Sequence, residues 1–191
     1  MITTTTNTET TYTKIPTFKL LLWLAMVSMV MMFAGLTSGY IVRQADGNWF
    51  EFELPSVFYI STAFILLSSI SMQWAFAGVK KDNLSQLRIG LMTTLGLGLG
   101  FIFTQFTAWS KLVEAGVFFT GNPSGSFLYV LTALHLAHLF GGMIFLIVVT
   151  TRSIQGHFSS KKYLPVELCT TFWHFLDGLW IYLFVFLILV R

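Results

Sequence analysis

Residues 172–180 read Phe-Trp-His-Phe-Leu-Asp-Gly-Leu-Trp, and they sit inside an apolar run from about Val166 to Val190. That run matches the roughly 20 residues needed to cross a hydrocarbon core about 30 Å thick at about 1.5 Å per residue. An ionisable group at that depth costs about 2.5–3.5 kcal/mol or more, so His174 and Asp177 are expected to face other helices and pair with a partner. An open strand would leave its backbone groups unpaired in lipid, so the run reads as a helix.

Four further runs of the same kind lie upstream, at about 19–42, 55–79, 88–110 and 127–151, with the last at 166–190. The fold expected is an all-α integral membrane protein: a bundle of five transmembrane helices spanning residues 18–191, preceded by a threonine-rich, disordered cytoplasmic tail over 1–17. Composition agrees. With 55% hydrophobic and only 10% charged residues, the chain departs far from soluble domains, in which about a quarter of residues are charged. The aromatic share of 17% suits rings that fill the space between helices and sit at the two interfaces.

Pro55 and Pro165 stand where helices start, and Asn122-Pro123-Ser124-Gly125 reads as a turn before the fourth run. Placing the N-terminus inside puts Lys14, Lys19, Lys80, Lys81, Arg88, Arg152, Lys161 and Lys162 on the cytoplasmic side. Arg43, Lys111 and Arg191 then lie outside with the acidic residues Asp46, Glu51 and Glu53. This imbalance predicts a cytoplasmic N-terminus and an external C-terminus. The basic residues form no stripe or tail of the kind that binds nucleic acid.

Small residues at spacing four read as packing seams: Gly35 and Gly39, Gly96 and Gly100, and Ala133, Ala137 and Gly141. Gln105 with Trp109, and Gln73 with Trp74, read as interfacial anchors and interhelical hydrogen-bond formers.

The candidate site is an intramembrane polar cluster of His135, His138, His174 and Asp177. Counted from the helix ends, Asp177 and His138 both lie roughly 16 Å deep, and His174 roughly 12 Å deep. Equal depth predicts that Asp177 meets His138 where the fourth and fifth helices touch, directly or through water. Such a cluster serves either as a structural lock or in proton handling. A small proton-coupled transporter is one alternative, although broken helices and repeat symmetry are missing from the pattern. A b-type haem carrier is another, but His135 and His138 share one helix face, and only His174 remains to clamp a haem from the opposite side. The single cysteine, Cys169, excludes an intrachain disulfide and any metal site built on two thiolates of this chain. No phosphate-binding glycine loop, Cys-x-x-Cys or His-Glu-x-x-His occurs, so no catalytic, cofactor-binding or metal-binding residue is assigned.

Phe172 to Phe184, FWHFLDGLWIYLF, resembles the WHF-x-D-x-x-W segment in the last helix of subunit III of haem-copper respiratory oxidases, the cytochrome c oxidase subunit III family. Trp173, Phe175 and Trp180 carry that motif beside His174 and Asp177. Ser126 to Phe145, SFLYVLTALHLAHLFGGMIF, is similar to the family's helix with paired histidines, and Met29 to Gly35 resembles a segment ending in Phe-Ala-Gly. Five helices match the short bacterial form, which lacks the first two of the full-length subunit. One departure is Met29, where the family commonly has a membrane glutamate, so no role of that acid carries over.

The resemblance implies a non-catalytic accessory subunit of an aerobic terminal oxidase in the bacterial plasma (inner) membrane. It implies no haem or copper on this chain, those groups residing in partner subunits. It also implies contact with the catalytic oxidase subunit I, other oxidase subunits and membrane phospholipids, with a role in stability and sustained turnover. The electron donor, cytochrome c or a quinol, and membership of a larger respiratory supercomplex are left open.

Overall fold

The computed structural model describes residues 17–45, 47, 49–50 and 52–190. The expected tail up to residue 16 and the residues Lys14, Asp46, Glu51 and Arg191 lie outside the described residues. Five helices make up the fold: α1 Thr17–Ala45, α2 Val57–Lys80, α3 Leu84–Glu114, α4 Pro123–Ile154 and α5 Leu164–Leu189. All five are long and apolar enough to cross a membrane, and the chain is a multi-pass membrane protein.

The helices overrun the apolar runs because capping chemistry, rather than hydrophobicity, sets their ends. Asn83 opens α3 four residues before the run, its side-chain oxygen accepting from the Gln86 N–H at 3.1 Å. Asn122 does the same for α4, accepting from the Ser124 N–H at 3.0 Å. The segment expected as a turn is therefore the first turn of α4, with Pro123 at its first position. Gly116 and Gly156, at φ +79° and +75°, close α3 and α4 in the left-handed conformation that spares glycine a Cβ clash. In each case the next N–H reaches back five residues, Val117 to the Leu112 carbonyl at 2.9 Å and His157 to that of Arg152 at 3.2 Å. At α2, Pro55 precedes the helix by two residues and accepts from the Phe58 N–H at 3.0 Å. Pro165 does lie in the first turn of α5.

Helices α2, α3, α4 and α5 form a closed ring in which every neighbour is antiparallel, and α1 lies outside it against α4 and α5. The tightest contact is between α2 and α3, where a methyl added to Gly90 would lie 2.6 Å from the Ala75 Cβ. Gly98 and Gly142 similarly admit Trp173 and Leu176 from α5. These are the true close approaches. Of the expected seams, Gly39 meets Phe127 and Gly100 meets Phe64, but nothing lies within 4 Å of the space beside Gly35, Gly96 or Gly141. Ala133, Ala137 and Gly141 are exposed on the outer face of α4. The spacing of four does put these residues on one face, but that face points away from the bundle and makes no seam within it.

Helix α1 is the least buried of the five. It is tied to α5 near both ends, by an ion pair of Lys19 with Glu167 at 2.7 Å and a hydrogen bond of Thr37 with the Tyr182 hydroxyl at 2.9 Å. Beyond Thr37, the buried Tyr40 ring packs edge-on against Trp49, Phe127 and Phe186.

Candidate functional site: a polar seam between two helices and a groove beside it

Three polar side chains of the α5 motif, Trp173, His174 and Trp180, meet polar groups on α2. Trp173 donates its indole N–H to Ser68 Oγ at 3.0 Å, and Trp180 donates to Thr62 Oγ1 at 3.1 Å. Between them, His174 Nδ1 lies 2.7 Å from Ser69 Oγ, and its Nε2 lies 3.1 Å from Gln73 Oε1. The antiparallel register brings these partners together in order. A run of hydroxyls in the otherwise apolar α2, Ser61, Thr62, Ser68, Ser69 and Ser71, was the overlooked signal for this seam. Hydrogen bonds across apolar helices fix their rotation and height, each contributing about 0.6 kcal/mol.

Asp177 is 3% exposed, and its carboxylate lies 3.9 Å from His174 Nδ1 on the same helix, close enough for charge attraction but beyond hydrogen-bond reach. The expected pairing of Asp177 with His138 is not formed. His138 instead places Nδ1 2.7 Å from the Leu134 carbonyl of its own helix and sits edge-on to Phe33 of α1. The two residues lie on faces that point to different neighbours.

His135 behaves differently again. It is fully buried between the rings of Phe101, at 5.9 Å, and Trp180, at 5.1 Å, and among the described residues neither ring nitrogen has a hydrogen-bond partner. Gln105, also fully buried, has none for either side-chain atom. It is thus a core residue, whereas Trp109 does bridge helices, donating to Thr132 Oγ1 at 3.1 Å. Gln73 makes the interhelical bond already described, and Trp74 is exposed. The four expected cluster members therefore divide into His174 with Asp177 on the α2 side, His138 facing α1, and His135 in the core. Among the described residues, no three His, Cys, Asp or Glu side chains gather as metal ligands would.

Beside the seam, between α1 and α5, runs a groove of about 480 Å³. Val30, Phe33 and Ala34 line one wall and Phe175, Gly178 and Tyr182 the other, with His174 at the edge. Gly178 keeps it open, since nothing lies within 4 Å of the space beside it. Met29 is half-buried on α1 one residue from this wall, so the family acid is absent next to the groove.

His174 and Asp177 can share one proton in two arrangements of equal net charge. In one, a neutral imidazole faces a carboxylic acid; in the other, an imidazolium donates to Ser69 and Gln73 while facing a carboxylate. Moving that proton over 3.9 Å needs rotation of a side chain or one intervening water.

Comparison with known proteins places this geometry in a family. Residues 49–190 match the family described as Cytochrome c oxidase subunit III. A Nocardia farcinica protein named as a probable cytochrome c oxidase subunit 3 is 30% identical over 90% of this chain and 86% of its own length. The Drosophila yakuba and Equus caballus subunits 3 are 31% and 32% identical, over 70% and 66% of this chain. In those two animal relatives the match spans about half of the protein, 49% and 47%. With the motif helix, its α2 partners and this similarity all within residues 49–190, the chain belongs to the cytochrome c oxidase subunit III family.

Proposed function

We propose that the chain is the accessory subunit III of an aerobic terminal oxidase, carrying no redox centre and supporting the stability and sustained turnover of a haem-bearing catalytic subunit I. The observation that carries this reading is the family match over residues 49–190, which contains the entire α5 motif. The fate of the histidines supports it. His174 is committed to α2, His138 to its own helix and α1, and His135 to an aromatic core, an arrangement of helix-fixing contacts rather than of opposed haem ligands.

The outer faces of the bundle, including the Ala133, Ala137 and Gly141 stripe, fit contact with other oxidase subunits or lipid. The groove between α1 and α5 fits phospholipid acyl chains. Of the described cations, Lys19, Lys80, Lys81, Arg88, Arg152, Lys161 and Lys162 lie at one end of the bundle and only Arg43 and Lys111 at the other. This imbalance supports a cytoplasmic N-terminus, an external C-terminus and residence in a bacterial plasma membrane.

Purification through a tag on this chain in mild detergent tests the reading. Haem-bearing and copper-bearing chains should co-purify, and the optical spectrum of the complex should persist when this chain is washed away. A stable, active unit isolated without such partners would overturn the reading.

A further inference from the structure

The cation-rich end of the bundle contains a pocket that the subunit reading leaves unused. Three of its cations are engaged within the chain: Lys19 with Glu167 at 2.7 Å, Arg88 through Nε with the Ser153 carbonyl at 3.1 Å, and Lys80 over the Phe76 ring at 4.3 Å. Arg152, Lys161 and Lys162 are exposed, and among the described residues none of their side chains forms an ion pair within 4 Å or a hydrogen bond, although Lys161 lies near enough to the Asp82 carboxyl to act on it through charge. All three line one open pocket of about 700 Å³, together with Gln155, His157 and Leu164.

The pocket has a fixed shape. Gly156 turns the chain out of α4, the buried Phe158 roots the connection, and a tight turn closes with the Lys162 N–H donating to the Ser159 carbonyl at 2.9 Å. Asp82, from the α2–α3 connection, accepts the Ser160 N–H and so clamps this loop from the other side. The pocket lies between the last turn of α4 and the first turn of α5. Among the described residues no side chain caps α5 there, and Glu167 in its first turn is already paired with Lys19.

We propose that this pocket binds the phosphate headgroup of an anionic phospholipid. The site is distinct from the α1–α5 groove and rests on the chain spanning a membrane, not on the oxidase reading. Three exposed cations around an open cavity suit a phosphate diester, and in a chain that spans a membrane the helix ends fall in the headgroup layer. Leu164 and Pro165 in the pocket wall, with the exposed Ile154 on the last turn of α4, supply apolar surface for the acyl chains. A free phosphate would gain the charge but not that apolar contact, which favours the lipid.

A photoactivatable phosphatidylglycerol tests this in vesicles of phosphatidylcholine and phosphatidylglycerol that hold the intact complex, with adducts mapped by mass spectrometry. Adducts are expected on the stretch 152–165, competed by unlabelled phosphatidylglycerol and not by phosphatidylcholine. Each cation near the surface adds about fivefold in affinity, so Lys161→Gln with Lys162→Gln should reduce labelling more than about tenfold. Lys161→Arg with Lys162→Arg should restore it. If the double glutamine variant does not reach the vesicles, Arg152→Gln alone should reduce labelling about fivefold. Labelling that ignores headgroup charge, or survives these substitutions, would overturn the proposal. Displacement by inorganic phosphate as effective as by phosphatidylglycerol would overturn the lipid assignment in favour of a soluble anion.

Discussion

Two histidines in the membrane, His135 and His174, occupy opposite kinds of environment within one bundle. His135 is fully enclosed by Phe101 and Trp180, and among the described residues neither of its ring nitrogens has a hydrogen-bond partner. His174, with a third of its side chain exposed, has both ring nitrogens within reach of partners on α2 and a carboxylate 3.9 Å away. The difference teaches that a buried ionisable residue type does not define a site; its partners do. At His135 the imidazole works as a flat aromatic plate. At His174 it works as a two-ended connector whose edge borders the α1–α5 groove.

The strongest way to break this contrast is Trp180→Ala. That ring stacks near Phe58, meets Phe101 edge-on, contacts His135 and donates to Thr62, so it belongs to both environments. Its loss should destabilise the chain by about 3 kcal/mol, read as early thermal dissociation in detergent; lost packing rather than transfer from water dominates in a bilayer.

His174→Leu and His135→Leu compare the two directly. His174→Leu removes both bonds to α2 and leaves Ser69, Gln73 and Asp177 without it, with an expected loss of about 1–3 kcal/mol. His135→Leu removes no hydrogen bond and should change stability by less than about 1.5 kcal/mol. Equal losses, measured by thermal dissociation in detergent, would show that His135 holds partners after all.

Asp177 decides whether the His174 corner is a lock or a proton site. Asp177→Ala should weaken assembly or shorten the working life of the complex while leaving its haem spectrum intact. Asp177→Asn keeps the polarity, so a lock predicts near-normal assembly and turnover. A proton site predicts turnover that falls in a pH-dependent way in the same variant.

The smallest effect lies outside the membrane. Hydrogen bonds from Ser160, with help from nearby Lys161, hold the Asp82 carboxyl below its ordinary value of 3.8. A depressed folded-state value means that the clamp contributes fully above the unfolded-state value and is lost as pH falls through the folded one. Protection of the Ser160 amide against hydrogen exchange, measured relative to its intrinsic rate at each pH, should therefore fall in strong acid, and Asp82→Asn should remove that change in protection without unfolding the bundle.

Much of this organisation was legible from residue order. Span length and hydropathy alone yield five helices, since a bilayer fixes how many residues a crossing needs and every backbone group must be bonded within it. Helix ends were legible too, but in a different code. Asn83, Asn122, Gly116 and Gly156 mark them by capping, and counting apolar residues stops short of all four. The α5 motif and the paired histidines of α4, in that arrangement along the chain, carry the resemblance to the family.

What residue order left undetermined is rotation. Depth along a helix accumulates at a fixed rise per residue, so residue order gives Asp177 and His138 an expected level but not a direction. Which way each side chain points depends on how neighbouring helices pack, and small errors in that angle exchange one partner for another. Packing turned His174 toward Ser69 and Gln73, His138 toward Phe33, and the Ala133, Ala137 and Gly141 stripe away from the bundle. Sequence determined the helices and their order, because each is a local or cumulative property of the chain. Only the tertiary structure decided which of their residues meet, because contact between helices depends on all of their rotations together.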